Sequence, residues 1–236
     1  IEHMFDTGSV TAPTADLDAL RQLGERVRPL SAAQERTLPV PEAFVDLLPL
    51  GGLQRGSTVC TAGSGAPSLA LALAGPATAA GSWCALVGLA DVGLLAAAEL
   101  GLSLERTLLV ADPGPQEWAG AVAALLDAVE VVLVRPAARI TPTVQRRLVA
   151  RARDRGSVLV QAGGAAEVWA HRPDVMVTAA SARWTGLGVG HGRLRGRRVC
   201  VTVDGRRGAA RGRSASLWLP GPDGQIARVV EAVGAA

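Results

Sequence analysis

From Pro49 onward the chain alternates short apolar runs with helix-length segments, and this regular alternation constrains the fold more than any single motif. Candidate strands lie near 57–61, 82–87, 106–110, 129–134 and 157–161, separated by candidate helices at 67–74, 92–100, 116–127 and 142–155. Strands joined by crossover helices through short connections form a mostly parallel sheet with helices on its faces. After residue 164 the character changes. The stretches 175–179, 198–203 and 214–218 alternate or run apolar, with the Gly-rich segment 186–192 and Asp204-Gly205 as turns, so antiparallel strands are expected to extend the sheet. A short terminal helix is expected from Ile226 to Val233. The fold class is therefore α/β, a mostly parallel central sheet with flanking helices and a C-terminal antiparallel extension.

Ahead of this core, Ile1-Glu2-His3-Met4 reads as a tag remnant, and residues 5–14, rich in Thr, Gly, Ser and Pro, read as a flexible leader. Asp16 opens a helical pattern whose stripe Leu17, Leu20, Leu23 and Val27 ends near Pro29. The expected organisation is leader 1–14, helix and linker 15–39, and core 40–236. No uninterrupted apolar run reaches the ~18 residues of a membrane span. The richest stretch, Ala66 to Leu104, is broken by Gly75-Pro76, Gly81-Ser82 and Asp91. A cytoplasmic protein without membrane contact is expected. Cys60, Cys84 and Cys200 are odd in number, far apart and set in apolar runs, which points to buried thiols rather than disulfides or a metal site. His3, His171 and His191 add no ligand spacing.

The chemistry open to the chain is narrowed by one absence: all 24 basic residues are Arg, and Lys does not occur. Schiff-base chemistry, a Ser-Lys dyad and a phosphate-loop lysine are thereby excluded.

The segment Leu50-Gly51-Gly52-Leu53-Gln54-Arg55-Gly56, followed by a strand at 57–60 and a Gly-rich turn, resembles the entry to the RecA core. The likeness covers about residues 40–220 and runs to the late strand, turn and strand at Arg198 to Leu219. More narrowly, the phrases Ser68 to Leu73, Ala80 to Trp83 and Trp184 to Gly192 resemble the actinobacterial ImuA-prime proteins, RecA-like accessory factors of the translesion-synthesis mutasome. The resemblance extends in fold to the cell-division inhibitor SulA. It implies a RecA-like core, a role in DNA damage tolerance, and as partners a polymerase-like protein of the ImuB type and a DnaE-type polymerase.

A working phosphate loop needs glycines to expose backbone N–H groups, a Lys for the terminal phosphates and a Ser or Thr hydroxyl on magnesium. Here the strand leads into Gly63-Ser64-Gly65-Ala66-Pro67, so Ala66 stands at the lysine position and Pro67 at the hydroxyl position. Proline also removes a backbone donor, while suiting the first turn of a helix. The acid expected at the end of the strand Val131 to Val134, for the magnesium shell, is replaced by Arg135. Gln161 stands where the resemblance places a γ-phosphate sensor, and without a nucleotide it reads as an ordinary polar strand end. No cofactor, metal or catalytic residue is assigned, and the expected function is that of a non-catalytic adaptor. The alternatives are a SulA-like inhibitor that caps a filament-forming partner and, against these residues, a nucleotide-dependent recombinase. A residual anion site on the Gly63-Ser64-Gly65 backbone stays open.

Arginine crowds the last part of the chain at 193, 195, 197, 198, 206, 207, 211 and 213. Such a strip meets an acidic partner, protects an edge hairpin from aggregation, or tracks phosphates. Aromatic interleaving is thin, so DNA binding is expected to be weak or absent. The candidate partner surface comprises Trp184, Arg193, Arg195, Arg197, Arg198, Arg206, Arg207 and Trp218; both Trp equally suit a strand core.

Overall fold

The apolar runs become the strands of one nine-stranded sheet in a computed structural model that describes residues 37–111, 113–136, 138–163, 171–189, 191–206 and 212–229. The leader, the expected helix at 16–28, and residues Asp112, Arg207 and Arg211 lie outside the described residues. In chain order the strands are β1 (Thr37–Leu38), β2 (Leu53–Gln54), β3 (Thr58–Gly63), β4 (Cys84–Val87), β5 (Thr107–Val110), β6 (Val131–Val134), β7 (Val158–Ala162), β8 (Val175–Leu187), β9 (Gly192–Gly205), β10 (Arg213–Trp218) and β11 (Ala227–Arg228). The helices are α1 (Glu42–Val45), α2 (Ala66–Ala79), α3 (Leu94–Glu99), α4 (Gly114–Ala128) and α5 (Pro142–Arg155). Across the sheet the order is β11-β10-β9-β8-β3-β7-β6-β4-β5, while β1 and β2 pair separately. The strands from β5 to β8 run parallel, and β8 through β11 pair antiparallel.

Strands covered on both faces read as continuous apolar runs, and β6 shows why. Val131 and Leu133 enter the core around α2, whereas Val132 and Val134 enter the core under α4 and α5. The first core holds Leu69, Leu73, Leu86, Val160 and Val201; the second holds Trp118, Val122, Leu125, Leu148 and Leu159. Helix α5 matches its expected bounds because its ends carry local signals: the Thr141 hydroxyl accepts the Val144 N–H at 3.4 Å, and Gly156 ends it at φ 70°.

Several expectations are corrected by long-range packing. Helix α2 continues through Gly75-Pro76 to Ala79 instead of ending at 74, since nearly its whole length is buried and the Thr78 hydroxyl donates to the Gly75 carbonyl at 2.7 Å. Proline removes one backbone donor there, and the surrounding core outweighs that loss. Strand β8 is not wholly an antiparallel extension, because β3 pairs parallel with Val175–Ala179. The expected turn at 186–192 contracts, with strand up to Leu187 and again from Gly192, and Asp204-Gly205 ends β9 rather than forming a turn. In place of the start of a terminal helix, Ala227–Arg228 pairs with Leu217 and Trp218, because the free edge of β10 offers backbone partners. Among the described residues no helix is long and apolar enough to cross a membrane.

Candidate functional site

The glycines of the turn after β3 serve the backbone. Gly63 ends β3 at φ 81°, and a Cβ there would lie 2.0 Å from the Ala179 carbonyl oxygen. That carbonyl accepts the Ser64 N–H at 3.0 Å, so the turn is stitched to β8. Gly65 precedes α2 in the left-handed conformation, and Ala66 and Pro67 form the first helical turn. The Thr61 hydroxyl lies 2.8 Å from the Ala66 carbonyl oxygen and 3.3 Å from that of Gln161. The Gln161 side chain is buried and folds back, its amide donating to the Gly163 carbonyl at 3.3 Å.

Arg197 closes this turn from across the sheet. It sits on β9 opposite Trp184 and is only 7% exposed. A Cβ placed on Gly65 would lie 2.1 Å from its Nη1, so the guanidinium rests against the glycine turn. Its position is fixed by the segment after β10. The Nε–H donates to the Leu219 carbonyl at 2.8 Å, the Arg197 N–H to Pro220 at 2.8 Å, and the Leu219 N–H to Arg197 at 2.8 Å. The Trp184 ring centroid stands 5.6 Å from Cζ. Nη2 is buried without a hydrogen-bond partner among the described residues. Burial pulls the guanidinium pKa below its ordinary value.

At the end of β6, Arg135 turns toward the loop after β4. Its Nε donates to the Gly88 carbonyl at 3.2 Å, and its two terminal nitrogens hold the Asp91 carboxylate. The hydrogen bond from Arg135 keeps the Asp91 carboxyl below the usual range. The position expected to carry an acid thus carries a cation already committed to a neighbouring acid.

Beyond Ala179 the β8–β9 hairpin leaves the sheet as an arm. Ala180–Leu187 has β9 on one side and, among the described residues, no strand on the other. A bulge between Ala180 and Arg183, with Ser181 at φ 53°, marks its root. Along the arm Arg183, Arg193, Arg195, Leu187 and Leu194 are exposed, Trp184 is 45% exposed and Val189 99%.

The arginine strip therefore divides. Arg193 and Arg195 stand on the arm, Arg197 on β9 sends its guanidinium against the glycine turn, and Arg198 and Trp218 are half-buried opposite each other on β9 and β10. Arg206 lies far off, 3.8 Å from Asp174. Arg183, Leu187, Val189 and Leu194 were missed as surface residues by sequence reasoning. A usable signal existed, since no carboxylate occurs between Asp174 and Asp204. Away from both features, Cys60 and Cys84 are buried, and burial pushes the Cys60 thiol up to about 11.

Residues 46–171 match the MT3502 N-terminal domain family. The chain is also similar to the uncharacterized protein Rv3395c of Mycobacterium tuberculosis, 38% identical over 146 residues, which span 61% of this chain and 70% of that protein. The family match contains the glycine turn, Arg135 and Gln161 and ends before the arm.

Proposed function

The chain belongs to the MT3502 N-terminal domain family, and we propose that it is a degenerate RecA-like domain acting in the cytoplasm as a non-catalytic adaptor in error-prone DNA damage tolerance. The RecA-like reading is supported by β3 at the centre of the sheet, the glycine turn at its end and the late hairpin beyond β8. The observation that carries the loss of nucleotide chemistry is that Ala66 and Pro67 form the first turn of α2 after Gly65, with Arg197 packed against that glycine. A phosphate seated on that turn would have to displace a guanidinium held by Leu219 and Trp184, and would then meet Ala66 and Pro67 instead of a lysine and a hydroxyl.

Two measurements test this reading. Titration with magnesium and ATP is expected to leave the melting curve unchanged. A magnesium-dependent stabilisation near the ~2.7 kcal/mol of a ligand at 100 times its Kd would overturn it. Co-purification from the native organism is expected to return a polymerase-like mutasome protein of the ImuB type, with a DnaE-type polymerase bound through it. Recovery of a filament-forming division protein instead would favour a capping inhibitor of the SulA kind.

A further inference from the structure

We infer that the open edge of β8, Ala180–Leu187, takes an extended acidic segment of a partner protein as an added strand. The inference rests on the adaptor reading and names the kind of partner segment that such an adaptor would hold. It starts from the backbone. β8 runs from Val175 to Leu187, but among the described residues β3 covers only Val175–Ala179, and β9 satisfies only one side of the remainder. Alternate N–H and C=O groups on the other side face outward, and every residue from Ala180 to Leu187 is exposed or half-exposed. An open edge of this kind is a template for strand addition.

Charge selects the occupant. The arm presents Arg183, Arg193 and Arg195 with no carboxylate between Asp174 and Asp204. A second copy of this chain would bring the Arg183 side chains of two edges together, with Arg193 and Arg195 of each arm adding to the like charge, and like charges close together destabilise a strand pair. An acidic segment is attracted. The exposed Trp184, Leu187, Val189 and Leu194 favour a polypeptide over duplex DNA, whose phosphate backbone offers them little apolar surface. Successive strand positions point to opposite faces, so Arg183 and Trp184 address different faces of the arm. The segment that fits therefore alternates acidic and apolar residues.

Amide hydrogen exchange on the full chain tests this, with a synthetic peptide of alternating Glu and Val, about ten residues long. With the peptide at about ten times its Kd, alternate amides within 181–187 are expected to exchange about tenfold more slowly. Raised salt should remove the effect, and a Lys-Val peptide should not produce it. Arg183→Glu, an exposed substitution, should weaken the Glu-Val peptide and admit the Lys-Val one. Absence of protection with the Glu-Val peptide, or protection confined to other segments, overturns the inference. Equal protection by duplex DNA at lower concentration overturns it in favour of nucleic acid. A co-purified polymerase-like complex that leaves 180–187 unprotected sinks the edge and spares the adaptor reading. Peptide protection without such a partner does the reverse.

Discussion

Gly63→Ala is expected to destabilise the fold by about 3–5 kcal/mol, enough to remove much of the margin of an ordinary domain. Two costs act together. At φ 81° an L side chain occupies the left-handed region, costing about 1–2 kcal/mol. The added Cβ would also stand 2.0 Å from the Ala179 carbonyl oxygen, so β3 and β8 must separate at the centre of the sheet. That movement strains the bond from the Ser64 N–H to the same carbonyl. Gly120→Ala supplies the contrast. It lies within α4 with nothing among the described residues within 4 Å of its would-be Cβ, so the change should stabilise by about 0.5–1 kcal/mol. Urea denaturation of the two variants measures both signs. A Gly63→Ala protein as stable as the parent would mean that this glycine is not held by the backbone approach of β8.

Arg197→Ala is expected to cost about 2 kcal/mol, the balance of opposing terms. The substitution leaves the Leu219 carbonyl, in a fully buried residue, without the Nε–H that it accepts, and it removes the contact with Trp184. Against this, an alanine no longer buries a cation whose Nη2 lacks a partner among the described residues. Arg197→Lys should not restore the loss, because an ammonium cannot reproduce the planar fork that donates through Nε and lies against the indole. A double-mutant cycle with Trp184→Ala should return a coupling of about 0.5–1 kcal/mol. None of these variants is expected to gain binding of ATP with magnesium, since Ala66 and Pro67 remain. Wild-type stability in Arg197→Ala together with zero coupling to Trp184 would place the guanidinium outside the turn in solution.

The unequal legibility of the chain follows from where each property resides. The central strands could be placed from sequence because burial on both faces makes β4, β6 and β7 continuous apolar runs. The ends of α5 could be placed because Thr141, Pro142 and Gly156 act on their own neighbours. That Ala66, Pro67 and Arg135 offer no amine, hydroxyl or carboxylate was equally plain, because residue identity holds in any fold. Arg195 and Arg197 look alike in sequence, separated by one glycine. Only tertiary structure exposes the first and buries the second, through contacts with Gly65, Trp184 and Leu219 that come from three distant parts of the chain. The path of α2 past Pro76, the pairing of β11 and the open edge of β8 depend in the same way on partners remote in sequence. Residue identity determined what chemistry the chain can carry. Burial and strand pairing, which arise only when separated segments meet, decided which side chain packs against the glycine turn and, among the described residues, which backbone edge stays unpaired.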